Sequence, residues 1–219
     1  KVMKRNIDDL EKFEKRFLVE GRTMAKLPHR NIVAVYDIVK SADATYIAME
    51  YLEGGTLSQK MKDGQSLGDA ISVVVQIAQA LQFAHEHGVV HRDLKPANIM
   101  YRDPHTPVLT DFGIAKQQDT TATRLTQTGM VLGTPHFMSP EHVKGSHHVT
   151  FKSDLYAVAA MMYRGLTGEV PFSGATPWET CRLQVVEPVP AHLLSEAEVP
   201  PPLAALVLAV NLLGDWLRD

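Results

Sequence analysis

The run His91-Arg92-Asp93-Leu94-Lys95-Pro96-Ala97-Asn98, followed by Asp111-Phe112-Gly113, constrains this chain more than any other feature. Asp93 and Asn98 stand five residues apart, and Asp111 follows thirteen residues after Asn98. Two carboxylates and a carboxamide at these offsets can serve one chemistry only if the fold brings them to one place. Asp93 can accept the proton of an incoming hydroxyl, while Asn98 and Asp111 offer hard oxygen ligands suited to Mg²⁺. Such a set fits transfer of a phosphoryl group from a Mg²⁺-nucleotide, which needs an oriented nucleophile and divalent ions that neutralise phosphate oxygens. Taken singly, each residue reads as a turn former bonding its own backbone. Their joint occurrence beside short apolar runs argues against that. Val89-Val90 leads in, Ile99-Met100-Tyr101 leads out, and Val108-Leu109-Thr110 precedes Asp111. These runs predict short strands, with Pro104 to Pro107 closing a hairpin, so that the base and both ligands sit on one rim.

Composition narrows the setting. A chain of 219 residues, 45% apolar and 21% charged with net charge −3, has an ordinary globular balance and room for one large domain or two lobes. That charge gives no reason to expect nucleic acid or a membrane surface as partner. A single cysteine, Cys181, excludes an internal disulfide framework and suits a reducing cytosol. The longest apolar stretch noted, Leu203 to Leu213, is too short for a membrane span and predicts a buried helix. The chain opens at Lys1 and reads as a piece of something longer. Pro188 to Pro202 is proline-rich and predicts an irregular connection, and Gly54-Gly55 suits a flexible junction between lobes. His136, His142, His147 and His148 match no zinc spacing and read as surface or loop histidines.

Three helices are expected around the chemistry. From Ile7 to Leu27 the apolar residues Leu10, Phe13, Phe17, Met24 and Leu27 form one stripe, and Glu20 occupies the position missing from it. A carboxylate there needs a cation, and Lys1 is a candidate partner. A second helix spans Leu67 to His87, with an apolar series at Leu67, Ile71, Val74, Ala78, Leu81 and His85 and a stop at Gly88. A third runs from near Ser153 to Leu166, where Asp154 reads by default as a cap or dipole partner.

The H-R-D-L-x-x-x-N run with its downstream D-F-G is the protein-kinase signature set. With it, the chain resembles the eukaryotic-like serine/threonine protein kinases of the bacterial receptor-type branch, from Lys1 to about Val186. The resemblance implies an α+β bilobal fold, with a partial small lobe and hinge over residues 1–52 and a larger helical lobe over 53–219. It implies an enzyme that uses ATP and Mg²⁺ (or Mn²⁺) to phosphorylate Ser and Thr hydroxyls of protein substrates. In this reading Lys1 binds the α- and β-phosphates and pairs with Glu20. Met49 is the gatekeeper, Glu50-Tyr51-Leu52 is the hinge that holds adenine, and Met100 lines the same pocket. Asp93 is the base, Lys95 assists it and marks the serine/threonine type, and Asn98 and Asp111 hold the metal. Gly133-Thr134-Pro135 receives the residue after the phosphoacceptor, and Ser139-Pro140-Glu141 stands for A-P-E. Asp154 holds the catalytic loop's backbone, and His91 packs beneath Asp-Phe-Gly.

Two departures stand out. The Gly-rich loop expected before Lys1 is absent, and the arginine expected near Leu206 to pair with Glu141 is not matched. Two explanations stand, a truncated or interrupted piece and a protein that has lost these parts; the first is favoured because every other catalytic position expected within the piece is present. A pseudokinase scaffold is the first alternative, disfavoured by Lys1, Asp93 and Asp111; a small-molecule phosphotransferase is the second, disfavoured by Gly133 to Glu141. Thr126 and Thr128 stand at the same distance before Gly133-Thr134 as the autophosphorylated pair of the kinases this chain resembles. The resemblance therefore implies autophosphorylation at Thr126, Thr128 or both, made by a kinase–kinase dimer, with the Arg92 guanidinium as a candidate to hold the phosphate. A cytoplasmic location follows from the same resemblance.

Overall fold

The structure is a computed structural model that describes residues 10–40, 45–112, 135–145 and 148–212. Helix α1 (Leu10–Met24) packs on the antiparallel hairpin of β1 (Val35–Lys40) and β2 (Thr45–Met49). Phe17 and Ile47 form the buried centre of that contact. Strand β2 ends at Met49, where the Glu50 amide donates to Ala34 O and the chain leaves the ladder.

Helix α2 (Leu57–Asp63) follows, opened by a reciprocal capping box between Thr56 and Gln59. Helix α3 (Leu67–Glu86) is capped by Ser66 and stops beside Gly88, whose φ of 73° ends the helix as expected. Its phase corrects the sequence reading. The buried residues are Ala70, Val73, Ile77, Ala80, Leu81 and Ala84, whereas Leu67 is exposed and Ile71, Val74, Ala78 and His85 are only half-buried. Small alanines face the core because α3 lies close against helix α5 (Phe151–Thr167) and the second hairpin. By length and apolar content α3 could cross a membrane, more readily than Leu203 to Leu213, but its packing is that of a core helix.

That second hairpin comprises β3 (Ile99–Asp103) and β4 (Thr106–Leu109), with Pro107 inside β4 and not in the turn. Val89-Val90 forms no strand. Leu109 bridges to Ile32, so the hairpin also joins the segment before β1. The glycine pair is anchored, contrary to a loose junction: the Gly54 amide bonds Tyr101 O and the Tyr101 amide bonds Gly55 O. A Cβ at Gly54 would lie 2.7 Å from Tyr101 O, so the close approach of two backbones explains the glycine.

After helices α4 (Pro140–Lys144) and α5 come α6 (Pro177–Val186), α7 (Ala191–Glu196) and α8 (Pro201–Leu212). The proline-rich stretch is thus partly helical. Pro190 sits just ahead of α7 and Pro201 opens α8, where a fixed φ and a missing amide suit a helix start. Helix α8 buries Val207 against Met162, Tyr163 and Leu194, while Leu206 is exposed, so only one side of the expected buried helix is covered.

Candidate active site

The loop between α3 and β3 is fixed by a residue far away in sequence. Asp154, in the first turn of α5 and 1% exposed, accepts the His91 amide at 2.8 Å and the Arg92 amide at 2.9 Å. The cap of α5 is Thr150, in a capping box with Ser153, so Asp154 is free of that default role and instead holds the loop backbone. His85 Nε2 lies 2.8 Å from Asp154 Oδ2. Sequence reading put His85 on an apolar stripe and missed this contact; its place in the last turn of a helix ending at the loop was the available signal.

His91 is fully buried against Phe112, with ring centroids 4.6 Å apart, and its Nε2 meets Thr110 O at 3.0 Å. A carbonyl only accepts, so Nε2 carries the hydrogen. Burial holds the His91 imidazole below its ordinary pKa, against the pull of Asp154. His91 thus packs beneath Asp111-Phe112, as expected of it.

Asp93, Lys95 and Asn98 converge. Lys95 Nζ donates to Asp93 Oδ2 at 3.0 Å, and Asn98 Nδ2 donates to Asp93 O at 2.7 Å and to Asp93 Oδ2 at 3.1 Å. The tight turn Pro96–Asn98 brings Asn98 back onto Asp93. Thr110 then donates from its amide and its hydroxyl to Asn98 O, which places Asp111, the next residue, beside the same turn. Asp111 has φ 52° and Arg92 φ 65°, left-handed values that cluster at functional sites in non-glycine residues. The three residues singled out for base and metal chemistry therefore lie on one rim. An Asn98 carboxamide oxygen and the Asp111 carboxylate are hard donors that fit Mg²⁺ bound jointly with phosphates.

The expected adenine-side residues fall beside the core. Met49 and Met100 are half-buried against the core cluster that contains Leu52. Glu50 differs from the others, because its side chain turns away to Arg102 of β3. Arg102 Nη2 donates to Glu50 Oε2 at 2.8 Å, Nε donates to Oε1, and Nη1 reaches Arg30 O at 2.5 Å. This fork holds the Glu50 carboxyl below its ordinary pKa. Any adenine contact of Glu50 must come from its backbone.

In α4, Glu141 is buried and its Oε1 accepts from Ser153 Oγ at 2.6 Å, which gives this carboxylate a partner on α5. Gln184 of α6 donates to Pro135 O at 2.7 Å and holds the turn after Thr134. His142 is half-buried in α4, and its ring has partners at both nitrogens: Ser139 Oγ lies 2.7 Å from its Nδ1, and Arg92 O lies 3.0 Å from its Nε2. Lys1, and with it the expected pair with Glu20, lies outside the described residues, as do Thr126, Thr128 and Gly133-Thr134; the backbone of Glu20 belongs to α1.

Comparison with known proteins gives the family. The protein kinase domain family matches residues 1–202. The chain is 36% identical to the probable serine/threonine-protein kinase PknB of Lactococcus lactis, over 95% of this chain and 33% of that protein. It is 38% identical to the serine/threonine-protein kinase PknB of Mycolicibacterium smegmatis, over 95% and 34%. To the serine/threonine-protein kinase PrkC of Bacillus subtilis it is 38% identical, over 80% and 27%. The chain thus spans about a third or less of the length of these relatives. A crystal structure of Rad53 in complex with AMP-PNP shares the fold, with a TM-score of 0.72 at 22% identity, over 92% of this chain and 50% of that one. The chain belongs to the protein kinase domain family, in its bacterial serine/threonine branch.

Proposed function

We propose that the protein transfers the γ-phosphoryl group of ATP to serine and threonine hydroxyls of protein substrates. The observation that carries this reading is the convergence of Lys95 Nζ and Asn98 Nδ2 on Asp93 Oδ2, in a loop clamped by Asp154. Asp93 orients the incoming hydroxyl and takes its proton. Lys95 places a positive charge beside that oxygen, where the transferred group gathers negative charge. Asn98 and Asp111 hold Mg²⁺ or Mn²⁺, which neutralises phosphate oxygens when bound. Lys1, positioned by Glu20, meets the α- and β-phosphates, and Met49, the Glu50 backbone, Leu52 and Met100 enclose adenine. The division into a small lobe to residue 52 and a larger one beyond it leaves this cleft between them, on the cytoplasmic side of the cell.

Regulation belongs to the same reading. Arg92 Nε is buried and has no hydrogen-bond partner among the described residues, and burial lowers the Arg92 pKa. A phosphate on Thr126 or Thr128 would supply that partner, adding roughly −1.5 to −2 charges near neutral pH. A second copy of the kinase delivers it. Incubating the full-length protein with Mg·ATP and a generic protein substrate should give phosphoserine and phosphothreonine on the substrate. Mass spectrometry should find phosphate on Thr126, Thr128 or both, with Thr134 unmodified. Absence of transfer to protein would sink the enzymatic reading, and phosphate confined to sites outside residues 111–141 would sink the regulatory one.

A further inference from the structure

Arg92 is held at both ends of its backbone by side chains from two different helices. Its N–H is taken by Asp154 of α5, and its carbonyl oxygen is met by His142 of α4. The carbonyl of Arg92 and the amide of Asp93 share one planar peptide unit. Whatever aims that carbonyl therefore aims the bond from which Asp93 departs. A left-handed φ of 65° at a non-glycine residue persists only where its surroundings over-determine it, and these two contacts do so.

The atoms of His142 have assigned roles. Arg92 O can only accept, so Nε2 carries the hydrogen and Nδ1 accepts from the Ser139 hydroxyl. Burial pushes this imidazole below its ordinary pKa, which favours that neutral form. Helix α4 itself is tied to α5 through Glu141 and Ser153, and it follows directly on the Pro135–Phe137 turn that Gln184 fixes.

We propose that His142 is a positioning residue for phosphoryl transfer, clamping the Arg92–Asp93 peptide plane to α4 so that seating of the substrate-side segment sets the direction of the Asp93 carboxylate. The clamp rests on the kinase reading above. Two conservative variants separate it from a local role at the end of α4. A glutamine places an amide N–H where Nε2 stands, whereas an asparagine reproduces only the Nδ1 contact with Ser139.

In the full-length protein, His142→Asn should lower kcat for protein phosphorylation on the order of tenfold, with KM for ATP unchanged, because a small misdirection of the base is costly. His142→Gln should restore most of the loss. Equal losses in the two variants, or an asparagine variant as active as wild type, would overturn the clamp. Amide hydrogen exchange across residues 91–94 reads the same contact without turnover and should quicken in His142→Asn but not in His142→Gln. Identical exchange in all three proteins also overturns the clamp. A wild type that phosphorylates no protein would instead overturn the kinase reading, with exchange still deciding the clamp.

Discussion

Asp154 meets three donors with its two oxygens, the amides of His91 and Arg92 and the ring of His85. Replacing it with alanine strands two backbone amides away from water, at about 1–3 kcal/mol for each unpaired group. We predict that Asp154→Ala lowers the unfolding free energy by about 3 kcal/mol, read from denaturant midpoints, while Asp154→Asn loses less because it keeps an acceptor oxygen. A loss near zero for Asp154→Ala would show that the amides find other partners. At this scale the sequence was informative where chemistry demands fixed offsets. Asp93, Asn98 and Asp111 could be picked out as candidates from their offsets, and the fold brings Asn98 onto Asp93 and the residue before Asp111 onto Asn98. His85 and His142 could not, because their partners, Asp154 and Arg92, are brought to them by tertiary folding across 69 and 50 residues. The turn away of the Glu50 side chain was hidden for the same reason, since Arg102 is 52 residues distant.

Helix α3 and the Gly54 junction show what element-level patterns convey. The existence and ends of α3 followed from its length, the absence of proline and the stop at Gly88. Its buried face did not, because Ala70, Ala80 and Ala84 carry little weight in a search for large apolar residues, yet they lie where close packing on α5 and β4 needs small ones. The prolines at 190 and 201 misled in the opposite direction, since a proline that breaks a helix interior also opens a helix well. Gly54 and Gly64 provide a contrast that can be measured. A Cβ at Gly54 meets Tyr101 Cβ at 2.6 Å and Tyr101 O at 2.7 Å, whereas at Gly64 nothing lies within 4 Å and only the φ of 89° opposes a side chain. Gly54→Ala should therefore cost about 1–3 kcal/mol by forcing β3 away from the segment after β2. Gly64→Ala should cost about 1 kcal/mol from backbone strain alone. Equal thermal unfolding midpoints for the two variants would mean that the Gly54–Tyr101 approach relaxes without penalty.

For the molecule as a whole, the buried His91 and the half-buried His29, His136 and His142 give stability a pH dependence of definite sign. Burial lowers the pKa of His91 and of His142, and His29 and His136 shift the same way. In the unfolded chain these rings titrate near pH 6.5, so below that value the unfolded state binds more protons than the folded one. Their contribution is complete above about pH 6.5 and is lost as pH falls toward the folded values. The denaturant midpoint should drop between about pH 7.5 and about pH 5.5, and His142→Gln should make the drop smaller. A midpoint that rises on acidification would contradict the desolvation of these rings. The larger claim is that one rim, built by a loop, a turn and a strand end, performs phosphoryl transfer. Asp93→Asn tests it most directly, because the replacement is nearly isosteric yet cannot take a proton from a hydroxyl. The account predicts that nucleotide affinity, measured by titration calorimetry with Mg·ATP, stays within a few-fold of wild type while phosphate transfer to protein falls by orders of magnitude. Transfer by Asp93→Asn at the wild-type rate would contradict it.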